Sequence, residues 1–255
     1  MALRRLSWCA WLALAVSVSG CGRGVSRQYE YEEDLYLRLD GSATVLVNAS
    51  VPALVALRGL DLDPAPNARL DRAVIRAAYA SAVTEVVRIS RPWRRAGRRF
   101  VQIRLAVADV RRLGDVPPFA WSAYRLEPAG DFLIYRQTLG KAAGRDPGDP
   151  GWTGREVVAV RLHLPSRIEY HNARDLETGE AAGVERGNIL VWEQRLADRL
   201  AGTPVAIDAR VEARSILRTT LWIFGVSAAA AVGVMAGLIW WAVRRGRRAS
   251  RATGS

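Results

Sequence analysis

Polar and apolar positions alternate along much of residues 29–211, and this pattern predicts β-strands. Residues 29–32 and 35–39 form one such segment and residues 42–50 the next. Asp40-Gly41 lies between them, and this pair is typical of a tight hairpin turn. The remaining predicted strands are residues 83–90, 99–107, 121–126, 132–139, 156–164, 167–171, 188–194 and 205–211.

One clear helix interrupts these strands at residues 68–81, with Asn67 as its expected N-cap. Its predicted inner side carries Leu70, Val74, Ala77 and Ser81. Residues 53–60 are apolar and fit either a short helix or an irregular run, whereas residues 140–154 are rich in Gly, Pro and Asp and predict a loop. The pattern therefore predicts an α+β fold with a mainly antiparallel β-sheet.

A second kind of pattern begins at residue 221, where 23 residues without charge or proline continue to residue 243. As a helix this run is about 35 Å long, enough to cross a hydrocarbon layer of about 30 Å. The tail after it, residues 244–255, is rich in arginine and is expected in the cytoplasm. Within the run a stripe of small residues recurs every four positions and would allow close packing of another helix, although small residues are common in such helices: Gly225, Ala229, Gly233 and Gly237.

The first twenty residues have the three-part plan of a secretory signal, with Arg4 and Arg5 before an apolar run. The run ends in Val-Ser-Gly-Cys, which matches the lipobox of bacterial lipoproteins. That match implies cleavage before Cys21 and a diacylglyceryl thioether on its sulfur. An ordinary signal with an incidental cysteine and an uncleaved signal anchor remain the alternatives.

Composition then limits the classes of function. The formal charge is +12, but two arginines at the start and six from Arg218 onward leave 29 basic against 25 acidic side chains between residues 22 and 216. The excess belongs to the chain ends, so nucleic-acid binding is not indicated. Because no cysteine follows Cys21, the domain must be stable without disulfides.

Five arginines cluster around a predicted turn at residues 92–97, with Trp93 among them. Arginine binds phosphate through two hydrogen bonds, and tryptophan favours the membrane interface. Two readings remain open, namely contact with anionic head groups and a solvated hairpin tip. The head-group reading names Trp93, Arg94, Arg95 and Arg98.

Catalytic and metal-binding patterns are absent from the sequence. The two histidines, His163 and His171, lack nearby ligands at a recognisable spacing, so neither a metal nor a cofactor is expected. A weak cation site at Asp175, Glu177 and Glu180 is less favoured than a solvated loop. No phosphate-binding glycine loop or nucleophile motif is present, so we expect no enzymatic activity. Four aromatic residues could line an apolar pocket or simply fill the core: Tyr124, Phe132, Tyr135 and Trp192.

Further motifs occur in the second half of the chain. Residues 164–168 (Leu-Pro-Ser-Arg-Ile) precede Asn172, and residues 187–192 read Gly-Asn-Ile-Leu-Val-Trp. Together with the lipobox, the Asp40-Gly41 hairpin and the C-terminal helix, they make the chain resemble the LppM-type bacterial envelope lipoproteins. Ser166 departs from that pattern, in which glycine is expected. The resemblance implies an envelope lipoprotein that interacts with lipid or glycolipid, and it implies no catalytic residues.

The sequence thus predicts four segments: a signal at 1–20, an extracytoplasmic domain at 21–216, a transmembrane helix at 217–243 and a cytoplasmic tail at 244–255. We expect the domain to lie on the outer side of the cytoplasmic membrane. Its expected role is to bind an envelope lipid, a glycolipid or a membrane-protein partner. The alternatives are a scaffold acting through the helix stripe and a hydrolase of envelope components.

Overall fold

The computed structural model describes residues 27–185, 188–214 and 216–252. The chain forms eleven strands in these residues: β1 (Tyr29–Leu37), β2 (Ala43–Ser50), β3 (Thr84–Ile89), β4 (Trp93–Arg95), β5 (Arg98–Val107), β6 (Ser122–Ala129), β7 (Phe132–Leu139), β8 (Val157–His163), β9 (Ile168–His171), β10 (Ile189–Arg195) and β11 (Val205–Glu212). The α-helices are α1 (Val51–Arg58), α2 (Arg72–Tyr79), α3 (Leu196–Leu200) and α4 (Ile216–Ala252), and two short 3-10 helices cover Val110–Asp115 and Pro117–Phe119.

The strands form two sheets. Sheet A has the order β10-β8-β1-β2-β5-β3, with β4 also paired to β5, and sheet B has the order β6-β7-β11-β9. All neighbours are antiparallel except β1 and β8, which run parallel with Leu35 opposite Leu162. The prediction of a mainly antiparallel α+β fold is confirmed.

The core follows from the alternation of side chains along the strands. In β2 every second residue is buried, namely Ala43, Val45, Val47 and Ala49, while the residues between them are half-buried. These side chains belong to one hydrophobic core with Tyr124, Tyr135 and Ala209 of sheet B. One face of sheet A is therefore buried and the other stays accessible, and only the accessible face can form a surface site.

The helical predictions need one correction. Helix α2 begins at Arg72, where Asp71 Oδ1 accepts a hydrogen bond of 2.8 Å from the amide of Ala73, so Asp71 is the N-cap and Asn67 is not. The Asn67 side chain instead accepts from Arg94. Helix α2 consequently buries Ile75 and Tyr79 rather than the predicted inner side.

Residues 51–58 form the buried helix α1, which settles the alternative left open there. Ser50 Oγ caps it by accepting from the amide of Ala53, and Gly59 ends it at a φ of 67°. The predicted loop at 140–154 is irregular, and Arg98 binds the carbonyls of Pro150 and Gly151 within it. This loop is therefore held against the end of sheet A.

A charged pair is buried in the core. Arg58 Nη2 donates to Glu33 Oε2 at 2.5 Å, and the two side chains are 1% and 0% exposed. The Tyr31 hydroxyl donates to the same carboxylate oxygen at 2.8 Å and also accepts from Arg58. The guanidinium carbon of Arg58 lies 4.0 Å from the centre of the Trp121 ring. Arg58 thus joins α1 to sheet A through a desolvated ion pair.

Helix α4 begins shortly after β11 and contains a 21-residue apolar section, Leu221–Trp241, that is long enough to cross a membrane. Its side chains are exposed, so this section is not the core helix of the domain. The predicted C-terminal membrane helix is confirmed as far as length and composition go.

Candidate ligand-binding cavity

The accessible face of sheet A carries a cavity of about 440 Å³ above β1, β8 and β10. The segment from Arg174 to Glu185 closes its other side. Because side chains alternate along a strand, Arg161 of β8 and Val191 and Glu193 of β10 point to this face, and Leu162 and Leu190 point to the core. The floor of the cavity is therefore mostly charged.

Arg27 lies at the centre of the hydrogen bonds in this cavity. Its guanidinium pairs with Glu193 and, at 3.3 Å, with Asp175, so it ties the covering segment to the sheet. The hydrogen bond to Glu193 raises the pKa of Arg27 above its ordinary value. The Tyr29 hydroxyl donates to the other oxygen of Glu193 at 2.5 Å. Burial, together with Glu193, raises the pKa of Tyr29, so that its phenol stays protonated at neutral pH.

Arg161 provides a second positive charge on the floor. Its guanidinium donates to Glu32 at 2.6 Å and lies 5.0 Å from the centre of the Tyr29 ring. Burial is the largest single effect on the pKa of Arg161 and lowers it, but the hydrogen bond to Glu32 and the charges of Glu32 and Asp34 together outweigh burial and raise the pKa. Arg161 therefore stays cationic over the whole physiological pH range.

The covering segment is folded by its own side chains. Asp175 Oδ1 accepts from the amides of Thr178 and Glu177 at 2.9 Å each, and these bonds lower the pKa of its carboxyl. Arg174 donates to the carbonyl of Gly179 at 3.0 Å. Across residues 27–185, 188–214 and 216–252, no group of three or more His, Cys, Asp or Glu side chains is placed to hold a metal ion. The Asp175 carboxylate, for which a solvated loop is favoured over a weak cation site, binds two backbone amides and Arg27.

This arrangement is suited to binding polar ligands. Three arginines, Arg27, Arg161 and Arg174, present guanidinium donors that match carboxylates, phosphates and hydroxyl groups. Four acidic side chains line the cavity as well, and two of them, Asp175 and Glu193, pair with Arg27. No sequence pattern marks these residues as a set, because strand pairing brings them together from distant parts of the chain. Within a single strand, only Arg161 among the valines of β8 indicates a polar site.

The aromatic residues considered for a pocket lie elsewhere. Tyr124, Tyr135 and Trp192 are buried in the core, where the indole of Trp192 donates to Asn172 at 2.9 Å. Phe132 is half-buried on sheet B beneath Arg210. The described cavity is thus polar, and these four residues do not line it.

The structure separates the residues predicted to contact head groups. Trp93, Arg94 and Arg95 form β4 and are exposed. Arg98, by contrast, is 4% exposed and binds both oxygens of Glu30 at 3.0 Å through Nε. The inclusion of Arg98 in an accessible cluster is therefore wrong, because its side chain is buried and its charge is neutralised by the buried carboxylate of Glu30. Arg99 is also buried and binds the carbonyls of Asp63 and Ala68.

The two histidines lie in different surroundings. His163 Nε2 lies 3.0 Å from Asp34 Oδ1, and its imidazole stacks on the Tyr36 ring with the centres 3.8 Å apart. Burial lowers the pKa of His171. His163 thus pairs with one carboxylate on sheet A, whereas His171 lies in the edge strand β9 of sheet B with its Nδ1 atom buried.

Two further predicted sites lie towards the ends of the chain. The lipidation site Cys21 and the signal at 1–20 fall outside the described residues. The stripe of Gly225, Ala229, Gly233 and Gly237 lies on the exposed section of α4. A Cβ atom added at any of the three glycines would meet no atom within 4 Å.

Comparison with known proteins adds little to this picture. No protein-family model matches the chain, and no curated protein sequence matches it. Among solved structures it is similar to the NMR structure of the folded domain of Mycobacterium tuberculosis LppM. That similarity has a TM-score of 0.37 at 12% sequence identity and covers 76% of this chain and 95% of that chain. At this TM-score the likeness supports no inference about ligand or activity.

Proposed function

We propose that this chain is an envelope lipoprotein of the bacterial cytoplasmic membrane whose extracytoplasmic domain binds a lipid or glycolipid head group. The charged cavity is the observation that carries this proposal, because it offers guanidinium donors to a polar ligand. With about 440 Å³ it has room for a phosphate or a sugar-sized group, and its lining suits polar atoms better than acyl chains.

The position of the cavity supports a membrane ligand. Arg27, which lines it, is separated from Cys21 by only the five residues 22–26. Acylation of Cys21 would therefore keep the cavity within about 20 Å of the bilayer surface. A head group that extends from that surface, such as the sugar chain of a glycolipid, would have a high effective concentration at the cavity.

The anchors themselves are part of the proposal. The apolar section Leu221–Trp241 would cross the cytoplasmic membrane, with the arginine-rich tail inside the cell and the domain outside. Intact mass measurement of the purified protein tests lipidation, since the wild type should show residues 21–255 plus acyl groups, whereas a Cys21→Ala variant should carry no acyl mass. A C-terminal alkaline phosphatase fusion that is active would contradict the proposed orientation.

Native mass spectrometry of the full chain in detergent micelles tests the cavity. We expect a co-purifying lipid or glycolipid on the wild type and its loss from an Arg161→Gln, Arg174→Gln variant. The matched control is Arg125→Gln, Arg136→Gln on sheet B, because Arg136 also pairs with a carboxylate, Asp208 at 3.2 Å. Retention of the ligand by the cavity variant, or its loss from both variants, would contradict the proposal.

A second candidate function is a scaffold that binds a membrane-protein partner through α4. The open stripe at Gly225, Gly233 and Gly237 supports it, because small residues allow the backbones of two helices to approach. A Gly233→Ile, Gly237→Ile variant should then lose association in a membrane two-hybrid assay. We propose binding rather than hydrolysis, since Asp175 and Glu193 in the cavity are paired with Arg27 and the sequence carries no catalytic motif.

A further inference from the structure

One edge of the domain carries a continuous excess of positive charge. It comprises α2, β3 and β4 and is called here the basic edge. Between residues 71 and 95 the exposed charged side chains are six arginines and two acids, Asp71 and Glu85. The arginines are Arg72, Arg76, Arg88, Arg91, Arg94 and Arg95.

Specific contacts make these elements one surface. Arg76 of α2 donates to the carbonyl of Val86 in β3 at 2.9 Å. Arg94 of β4 donates to Asn67 Oδ1 at 2.7 Å and so joins β4 to the segment before α2. Two apolar side chains are exposed on the same edge, Val87 at 52% and Trp93 at 40%. Basic residues beside an exposed tryptophan match the chemistry of an anionic membrane surface.

The outward face of sheet B serves as a comparison. Its exposed or half-buried charges are balanced, with three arginines on β6, β7 and β11 and three acids on the same strands. Several of them neutralise one another, as Arg136 does with Glu127 and Asp208. A balanced face gains little from anionic lipid, whereas the basic edge retains its charge.

The topology places the two anchors at opposite ends of the domain. Strand β1 enters at Tyr29 and runs parallel to β8, which ends at His163. The chain then turns back into β9, and Ile168 at its start pairs with Val211 near the end of β11. The end of β11, which leads to α4, therefore lies opposite to Tyr29. The nine residues of β1 separate these ends by about 30 Å.

This separation favours a side-on orientation. Cys21 and Tyr29 are joined by eight peptide steps, which reach at most about 28 Å when fully extended. If the lipid on Cys21 and α4 enter the same membrane, an upright domain would need this linker stretched to its limit. A domain lying with β1 along the surface needs no such stretching, and one of its long sides then faces the lipid.

We infer that the basic edge is that side and that it rests on anionic lipid head groups of the membrane that carries the protein. This inference depends on the two anchors of the proposed function. It assigns a surface role to Trp93, Arg94 and Arg95, together with Arg88 and Arg91, and it gives none to the buried Arg98.

The test uses the full-length protein in vesicles of phosphatidylcholine with or without phosphatidylglycerol. A fluorophore is attached at Val87→Cys in the acylated protein, in which the thioether blocks the Cys21 sulfur, and the matched control carries it at Tyr170→Cys, where Tyr170 is 49% exposed on sheet B. Quenching by a nitroxide on the lipid head group reports contact. We expect stronger quenching at position 87 than at position 170, only in vesicles with phosphatidylglycerol and less at high salt.

Charge variants then test the cause. An Arg88→Gln, Arg91→Gln variant should reduce the population of the docked state by roughly fivefold for each arginine removed. The control Arg125→Gln, Arg155→Gln changes the same charge away from this edge and should leave quenching at position 87 unchanged. Equal quenching at both label positions, or quenching independent of phosphatidylglycerol, would overturn the inference. Failure of the protein to float with the vesicles would instead contradict the proposed membrane anchors.

Discussion

The buried pair of Glu33 and Arg58 allows a quantitative prediction. Removing one partner leaves the other as an unpaired buried charge, which lowers the free energy of unfolding by about 3–5 kcal/mol. Glu33→Leu would deprive Arg58 of its carboxylate, and Arg58→Met would leave the Glu33 carboxylate with the Tyr31 hydroxyl. We therefore expect each single variant to lose about 3–5 kcal/mol of the free energy of unfolding.

The double variant should behave differently. Glu33 Oε1 and Arg58 Nη1 are buried and have no hydrogen-bond partner in the described part of the chain. The native pair therefore already carries the desolvation cost of two unsatisfied atoms, about 1–3 kcal/mol each. Replacing both residues by apolar side chains removes that cost along with the ion pair. It also leaves the buried Tyr31 hydroxyl without these two partners, which costs about 1–3 kcal/mol, so we expect the double variant to lose less stability than either single variant.

Urea unfolding of the full-length protein in detergent, followed by tryptophan fluorescence, measures these differences. Trp121 is a suitable reporter because Arg58 stacks on its ring. A total stability of about 5–15 kcal/mol leaves room to observe losses of this size. If the double variant loses as much as the two single variants together, the reasoning about desolvation is refuted.

Three further predictions concern pH and backbone geometry. Burial raises the pKa of four tyrosines, so their contribution to stability is complete below the unfolded value near pH 10 and is lost as pH rises through the folded pKa values. The free energy of unfolding measured with urea should therefore fall by up to about 1.4 kcal/mol per pH unit for each tyrosine, and a flat profile to about pH 11.5 would contradict this. These tyrosines are Tyr31, Tyr79, Tyr124 and Tyr135. Asp71→Ala should cost about 1 kcal/mol in urea unfolding through loss of the α2 cap, whereas Asn67→Ala should cost only a few tenths, and equal losses would restore Asn67 as the cap. Gly140→Ala should cost about 1–3 kcal/mol in the same assay, because a Cβ would lie 2.5 Å from the Trp121 carbonyl; Gly183→Ala meets no atom within 4 Å and should be neutral, and a stable Gly140→Ala protein would show that the chain can shift there.

Local patterns predicted most of the strands because alternation determines which side chains are buried. In β2 the apolar positions from Ala43 to Ala49 are the buried ones, and Gly41 adopts the positive φ of 88° that the Asp40-Gly41 turn requires. The same kind of reasoning found the apolar section of α4, because length and absence of charge are local properties.

Partners distant in sequence account for the failures. Arg98 and Arg99 are adjacent charges that a sequence pattern assigns to a solvated turn, yet they point to opposite sides of β5 and bind Glu30 and the loop carbonyl of Ala68. The cavity likewise could not be predicted from local sequence patterns, since it depends on β8 lying between β1 and β10. The start of α2 was misplaced because Asn67 and Asp71 are both good caps, and the contact with Arg94 decides between them.

The parallel pairing of β1 with β8 has a consequence for the order in which the protein folds. As the chain emerges, β1 and β2 can form their hairpin at once, and β5 and β3 can extend it on one side. The other edge of β1 must wait for β8, whose Val157 pairs with Tyr29 from far along the chain. Until then an open, partly apolar edge of β1 is available to strands of other chains. The pairing of β1 with β8 is therefore expected to be the slow step of folding and the step most exposed to misassembly.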